Sequence, residues 1–347
     1  MNLMLGIDLG GTKAEAVLLA AAAAADEGRP GAAPGSGGAG EVRWRERVPT
    51  PAGDYAATLA MLVGLVQRGR AAASAAAASA DAATTAEQAA RISIGIGTPG
   101  TVTADGRMKN CNSQCLNGRF LQRDLEAALG QPVAVANDAN CLALSEATDG
   151  AGAGHGVVFA AILGTGVGAG IAVHGRVLTG PNGVAGEWGH NPLPWAEPGH
   201  DPQWRCYCGQ VGCVETLASG PGLARDHREF ARNGGSGAAL GAEEIAAAAA
   251  RGDAASAATL ERHASRLARA LAGVINVLDP DIIVLGGGLS RMPHLVERVP
   301  QLWQRWVVSG GVREPVRTRL TTSLHGDASG VRGAAWLGRA LLQPPPG

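Results

Sequence analysis

The sequence is poor in aromatic residues, in lysine and in net charge. Phe, Trp and Tyr together make up 3% of 347 residues, so the core must be built mostly from aliphatic side chains and alanine. Lysine occurs only at Lys13 and Lys109, and the formal net charge is −1. No polybasic face exists to neutralise a phosphate backbone, which argues against nucleic acid as a partner. No run of about 18 or more strongly apolar residues is present either, the alanine tracts being too weakly apolar to span a bilayer, so no membrane partner is expected. The N-terminus lacks a basic stretch leading into an apolar segment and a cleavage site. With six cysteines and no secreted disulfide framework, a reducing cytoplasm is the expected location. Cys111, Cys115 and Cys141 read as small core thiols.

The hydrophobic share of 46% against 17% charged residues is that of an ordinary globular chain. Its length allows two domains or one large one. Apolar Leu3 to Leu9, a tight turn at Asp8-Leu9-Gly10-Gly11-Thr12-Lys13 and Ala14 to Leu19 read as a β-hairpin. Ala20 to Gly40 is an Ala/Gly/Pro tract without periodicity, expected to be a flexible loop. Val42 to Val48 alternates as a strand, and alanine-rich Tyr55 to Ala90 is expected to be mostly helical. Buried strands are expected at Ile92 to Gly97 and Val133 to Ala136, with helices at Phe120 to Leu129 and Cys141 to Ala147. A second glycine-turned hairpin spans Val157 to Leu163 and Gly170 to Val173, around Gly164-Thr165-Gly166-Val167-Gly168. Helices near Gly222 to Arg232, Ala242 to Ala250 and Ala254 to Leu278 follow, then a strand at Ile282 to Leu285, a further helix, and a last one at Gly330 to Leu342. Two such hairpins about 155 residues apart suggest a duplicated α/β fold with a cleft between its halves.

The densest chemistry lies between Gly186 and Glu215. Cys206, Cys208 and Cys213 fall within eight residues, separated by glycines that let the backbone fold tightly enough for three sulfurs to converge. Three thiolates and one imidazole make a closed tetrahedral set, which suits structural rather than catalytic zinc. A disulfide would leave an odd thiol. Spacing does not choose between His190 and His200 as the fourth ligand. Glu187 and Glu215 bracket the set and could be aimed at a polar ligand by it. The Gly10-Gly11-Thr12-Lys13 turn offers backbone N–H groups, a hydroxyl and an ammonium, all suited to phosphate oxygens, and Asp8 could hold a hydrated Mg²⁺ beside them. It is not a Walker A loop, because a strand and not a helix follows. Asp138 closes a strand at a helix start, where α/β folds place ligand groups; it could serve as a general base, or it or Asn137 could simply cap the helix.

Gly-Glu187-Trp-Gly-His190 followed by Cys206-Tyr-Cys208-Gly-Gln-Val-Gly-Cys213-Val-Glu215 resembles the signature of the ROK family of bacterial sugar kinases and repressors. The resemblance extends from Leu5 to about Leu337. It implies an actin-like ATPase (ribonuclease H-like) duplicated α/β fold, with residues 1–136 plus 327–347 as a small domain and 137–326 as a large one around a central cleft. It implies zinc on His190, Cys206, Cys208 and Cys213. It implies sugar contacts from Gly97, Asn112, Ser113, Asn137, Asp138, Glu187, His190 and Glu215, with Asp138 as the catalytic base. Gly164, Thr165 and Gly166 would be the second phosphate clamp and Gly286, Gly287 and Gly288 the adenosine-side turn, so ATP and Mg²⁺ are implied, together with a homodimer. Within the family, Gly-Glu-Trp-Gly-His-Asn-Pro-Leu-Pro-Trp, Ala-Asn-Asp-Ala-Asn-Cys-Leu-Ala and Cys-Tyr-Cys-Gly look most like fructokinase. The implied reaction is transfer from ATP to the 6-hydroxyl of a hexose, fructose first, with glucokinase and N-acetylglucosamine kinase as alternatives. A ROK repressor would carry a helix-turn-helix ahead of the first hairpin, and a hairpin starting at Leu3 leaves no room for one.

Overall fold

The structure is a computed structural model that describes residues 2–21, 40–78, 92–231, 240–309, 314–339 and 341. Most of the expected Ala20–Gly40 loop, and the expected helix beyond Ala78, fall outside these residues. The chain divides into two compact units. The first holds Met1–Gly156, Gly170–Ala185 and Asp327–Gly347; the second holds Val157–Ala169 and Gly186–Gly326.

The first unit is built on a five-stranded sheet. Strands Asn2–Leu9, Lys13–Ala21 and Glu41–Pro49 run antiparallel, as the tight Gly10 turn dictates. Ser93–Thr98 then adds in parallel beside Asn2–Leu9, and Ala134–Asn137 in parallel beside it. Leu5, Ile7, Ile94 and Ile96 are fully buried, and with Leu62 and Leu65 of the helix Tyr55–Ala78 they form one apolar cluster. The other face is closed by the last helix, Ser329–Arg339, and two glycines facing each other across the sheet make its close approach possible. Gly6 is paired with Gly95. A Cβ on Gly95 would sit 1.9 Å from the Ala334 carbonyl oxygen, and one on Gly6 2.2 Å from that of Val331. Backbone therefore packs on backbone, an arrangement that any larger residue would force apart.

The second unit repeats the parallel part of this plan. Val157–Leu163, Ile282–Gly286 and Arg319–Thr322 lie side by side in parallel register. The middle strand is buried throughout, as expected where both faces are covered. The helices Ala254–Leu278 and Pro293–Trp303 contribute Leu267, Leu271, Leu295 and Val299 to the core. The two expected helices Ala242–Ala250 and Ala254–Leu278 have the expected bounds. The second hairpin resumes at Val167 rather than Gly170, because the glycine turn closes within Gly164–Gly166: the Gly164 N–H donates to the Gly166 carbonyl at 3.0 Å. The short strand Arg319–Thr322, with one arginine before and two threonines after its single leucine, had no apolar pattern to announce it. Among the described residues no helix is long and apolar enough to cross a membrane.

Candidate active site and metal centre

In the first unit the expected site residues meet at the carboxyl ends of three parallel strands, the usual ligand edge of an α/β sheet. Asp8 lies opposite Gly97, and Thr98 opposite Asn137. The helix after Ala134–Asn137 begins at Asp138, not at Cys141 as its apolar residues suggested. The reason is Asn137, whose Oδ1 accepts from the Ala139 N–H at 2.9 Å and caps the first turn. Asp138 Oδ1 accepts from the same N–H at 2.8 Å. Its carboxylate is thus held at a helix N-terminus, where the macrodipole favours negative charge.

Asp8 and Asp138 are close enough to repel. Burial, and then the charges of Asp138 and Glu15, push the Asp8 carboxyl up to about 7 against the opposing pull of Lys13. Such a pair has the donor chemistry for a hard cation. Nearby, the Gly10 N–H closes the hairpin turn on the Lys13 carbonyl at 3.0 Å, and Thr50 Oγ1 donates to the Gly10 carbonyl at 2.8 Å. Gly11, Thr12 and Lys13 stand exposed at the tip. Ser113 joins them, its Oγ lying 3.7 Å from where a Gly11 Cβ would be. The loop from Cys111 to Asn117 that carries Asn112 and Ser113 is closed by an amide clamp: Asn117 Oδ1 accepts from the Cys111 N–H at 2.9 Å and its Nδ2 donates to the Cys111 carbonyl at 3.0 Å. Nothing in the sequence singles out Asn117, since one polar loop residue among several carries no spacing signal.

In the second unit His190, Cys206, Cys208 and Cys213 converge, with one ligand atom from each all lying within 4.8 Å of one another. His200 is not part of the cluster. Cys208 Sγ and Cys213 Sγ are 3.7 Å apart, and Cys206 Sγ is 3.5 Å from His190 Nδ1. Tetrahedral zinc with ordinary bond lengths would place two sulfurs about 3.8 Å apart and sulfur and nitrogen about 3.6 Å apart. The four side chains have the donor types of a closed zinc site and these two separations suit one, and ligation through Nδ1 would leave His190 Nε2 directed elsewhere. That nitrogen lies 3.0 Å from Tyr207 Oη and 4.0 Å from Glu187 Oε2. Tyr207 is 80% exposed, and its bond to His190 sets its hydroxyl beside a side chain expected to face sugar. The pattern Cys-Tyr-Cys did contain Tyr207, but nothing in its spacing distinguished it from an inert loop residue.

Glu215 lies in the first turn of Val214–Ala218, directly after the last cysteine. Its Oε1 is 3.8 Å from Cys206 Sγ and its Oε2 accepts from the Val167 N–H at 3.0 Å. A Cβ on Gly166 would lie 2.7 Å from that Oε2. The Gly286–Gly288 turn leaves the buried strand Ile282–Gly286, and Gly287 adopts φ 81°, with a Cβ there 2.5 Å from the Leu163 carbonyl oxygen. Only glycine tolerates both constraints.

The loop between His190 and Cys206 is fastened by a buried ion cluster that the sequence did not reveal. Arg269 Nη1 and Nη2 donate to the two carboxylate oxygens of Asp201 at 2.6 and 3.0 Å. Arg266 bridges Asp201 and Asp226 at 2.9 and 2.6 Å, and also donates to the His200 carbonyl at 2.8 Å. Burial opposes charge on Asp201, but the hydrogen bonds from Arg269, the Glu197 N–H and Arg266 outweigh it and hold the carboxyl at about 2.

The ROK family model matches residues 36–340. An N-acetyl-D-glucosamine kinase of Escherichia coli O6:H1 (strain CFT073) is 36% identical over 337 residues, covering 96% of this chain and 98% of that protein. The ROK hexokinase of Thermus thermophilus superposes with a TM-score of 0.74 at 27% identity, over 98% of this chain and 99% of that one. A ROK family glucokinase from Streptomyces griseus, solved in complex with glucose and AMPPNP, gives a TM-score of 0.68 at 27% identity over 98% and 100% of the two chains.

Proposed function

Since the chain belongs to the ROK family and has its actin-like ATPase fold, we propose that it is an ATP-dependent sugar kinase that phosphorylates the 6-hydroxyl of N-acetylglucosamine. The motif match pointed to fructose. The similarity to N-acetyl-D-glucosamine kinases over almost the full length of both chains favours the amino sugar instead. Nucleotide as phosphoryl donor is supported by the glucokinase neighbour that holds AMPPNP.

The observation that carries the chemistry is the placement of Asp138 beside Asp8 at the ends of parallel strands. In the proposed reaction Asp138 accepts the proton of the sugar 6-hydroxyl as that oxygen bonds to the γ-phosphorus and the bond to the β-bridging oxygen breaks, releasing ADP. The turns at Gly10–Lys13 and Gly164–Gly166 would cradle the phosphates. Magnesium, held through Asp8, would supply charge neutralisation for the transferring group. Glu187, His190 and Glu215 would bind sugar hydroxyls. Zinc on His190, Cys206, Cys208 and Cys213 would fix the loop that aims them, with no open position for chemistry. The homodimer that the resemblance implies remains part of the proposal, and light scattering of the purified protein tests it.

Initial rates of ADP release with Mg-ATP and N-acetylglucosamine, glucose, mannose or fructose test the reading. The largest kcat/KM is expected for N-acetylglucosamine. A larger value for fructose would return the substrate assignment to the one the motifs suggested, and no turnover of any sugar would remove the kinase reading.

A further inference from the structure

We infer that His263 is a positioning residue for phosphoryl transfer, an inference that rests on the kinase reading but on no particular sugar. Within the second unit the turn Gly164–Gly166 is hung at both ends on the segment from Glu215 to Gly220. The Gly220 N–H donates to the Gly164 carbonyl at 2.8 Å, and the Val167 N–H donates to Glu215 Oε2 at 3.0 Å. The middle of that segment is fastened from outside it: His263 Nε2 lies 2.9 Å from the Ala218 carbonyl oxygen. His263 belongs to the long helix Ala254–Leu278, whose Leu267 and Leu271 are fully buried. The bond therefore ties the segment to a packed scaffold.

The chemistry of the contact fixes one tautomer. His263 is 1% exposed, and burial holds its imidazole below the ordinary value against the pull of the Ala218 carbonyl. A neutral imidazole has a single N–H. The carbonyl requires that N–H on Nε2, which leaves Nδ1 as an acceptor, buried and with no hydrogen-bond partner among the described residues. An unpaired buried acceptor is unfavourable, and an aliphatic side chain of similar size would avoid it. What the histidine supplies that such a chain lacks is the donor to Ala218. That carbonyl ends the five-residue helix Val214–Ala218, where helical carbonyls have no intrahelical partner. Loss of the bond would release the segment between Glu215 and Gly220, and both of its attachments to the Gly164–Gly166 turn would shift with it. The sugar side and the phosphate side of the proposed reaction would move together, because Glu215 is a proposed sugar ligand and the turn a proposed phosphate cradle.

The test is steady-state kinetics with Mg-ATP and the sugar that the wild type phosphorylates fastest, in His263→Leu, His263→Asn and His263→Gln, each checked for folding by near-ultraviolet circular dichroism. Leucine fills the space without a donor. Asparagine carries its amide near the Nδ1 position, whereas glutamine carries an amide N–H near the Nε2 position and can restore the bond. His263→Leu and His263→Asn are expected to raise KM for ATP and for sugar together and to lower kcat/KM by about 10- to 100-fold, with His263→Gln within about threefold of the wild type. If the leucine variant does not fold, the comparison of glutamine with asparagine carries the same test. Equal losses in those two variants, or KM values near the wild type's in a folded variant without the donor, would overturn the role of His263 and leave the kinase reading in place. A wild type that phosphorylates no sugar would overturn the kinase reading, and this inference with it.

Discussion

The backbone N–H of Val167 donates to Glu215 Oε2 at 3.0 Å. The glycine turn expected to hold phosphate and a carboxylate expected to hold sugar are therefore joined by one hydrogen bond within the second unit. A methyl group on Gly166 would lie 2.7 Å from the same oxygen, so it must displace either the turn or the carboxylate. Gly166→Ala is expected to raise KM for both sugar and ATP and to lower kcat/KM by about 10- to 100-fold, as small misplacements of positioning groups do. A change confined to one substrate would show that the two sites are not coupled through this contact.

Asp138→Asn keeps the size of the side chain and a carbonyl oxygen for the Ala139 N–H, but removes the base. The expected loss is about 10²- to 10⁴-fold in kcat, with sugar KM changed only a few-fold, because hydrogen bonding to the sugar survives. Near-normal kcat in steady-state assays would mean that Asp138 only caps the helix.

Elemental analysis of protein purified without chelators should find one zinc per chain, and Cys213→Ser should lose it. Because Cys213 immediately precedes the helix bearing Glu215, that variant is expected to raise sugar KM more than ATP KM. Full zinc content in Cys213→Ser would rule out the proposed ligand set.

The buried ion cluster makes a stability prediction. Arg266 is 1% exposed and serves two aspartates, so Arg266→Met leaves buried carboxylates short of partners. Breaking a buried pair in this way costs about 3–5 kcal/mol, which chemical denaturation would measure. A loss below about 1 kcal/mol would place the cluster among surface-like pairs.

Acid should remove two stabilising contributions in two stages, against an opposing gain from Asp8, whose raised carboxyl favours the folded form increasingly as pH falls through 7 toward 3.8. Burial, and then the neighbouring His263, hold the His294 imidazole down from 6.5 to about 4. Its neutral form favours folding, so this contribution is complete above pH 6.5 and is lost as pH falls from there through 4. Asp201, held at about 2 rather than 3.8, contributes above pH 3.8 and loses that contribution as pH falls toward 2. His294→Leu should flatten the first stage of the unfolding free energy against pH, and an unaltered profile would contradict the assignment.

Much of this was legible in the sequence because the informative residues are local. Cys206, Cys208 and Cys213 lie close enough in the chain that convergence followed from spacing, and Gly10–Lys13 and Gly164–Gly166 announced their turns by composition. The choice of His190 over His200 depended on how a loop of fifteen residues folds back. That path is set by Asp201 meeting Arg266 and Arg269 from a helix more than sixty residues away, a pairing with no local signature. The apolar residues range the helix after Asn137 from Cys141, with Asn137 or Asp138 as its candidate cap. Its first turn is polar, and the Asn137 cap, not apolar periodicity, defines it.

The most direct measurement is a competition in one vessel: Mg-ATP, equal concentrations of N-acetylglucosamine and fructose, and identification of the phosphorylated products by ³¹P and ¹³C NMR. The account predicts that phosphate appears mainly on C6 of N-acetylglucosamine. Fructose 6-phosphate as the main product, or phosphate on any carbon other than C6, would contradict it.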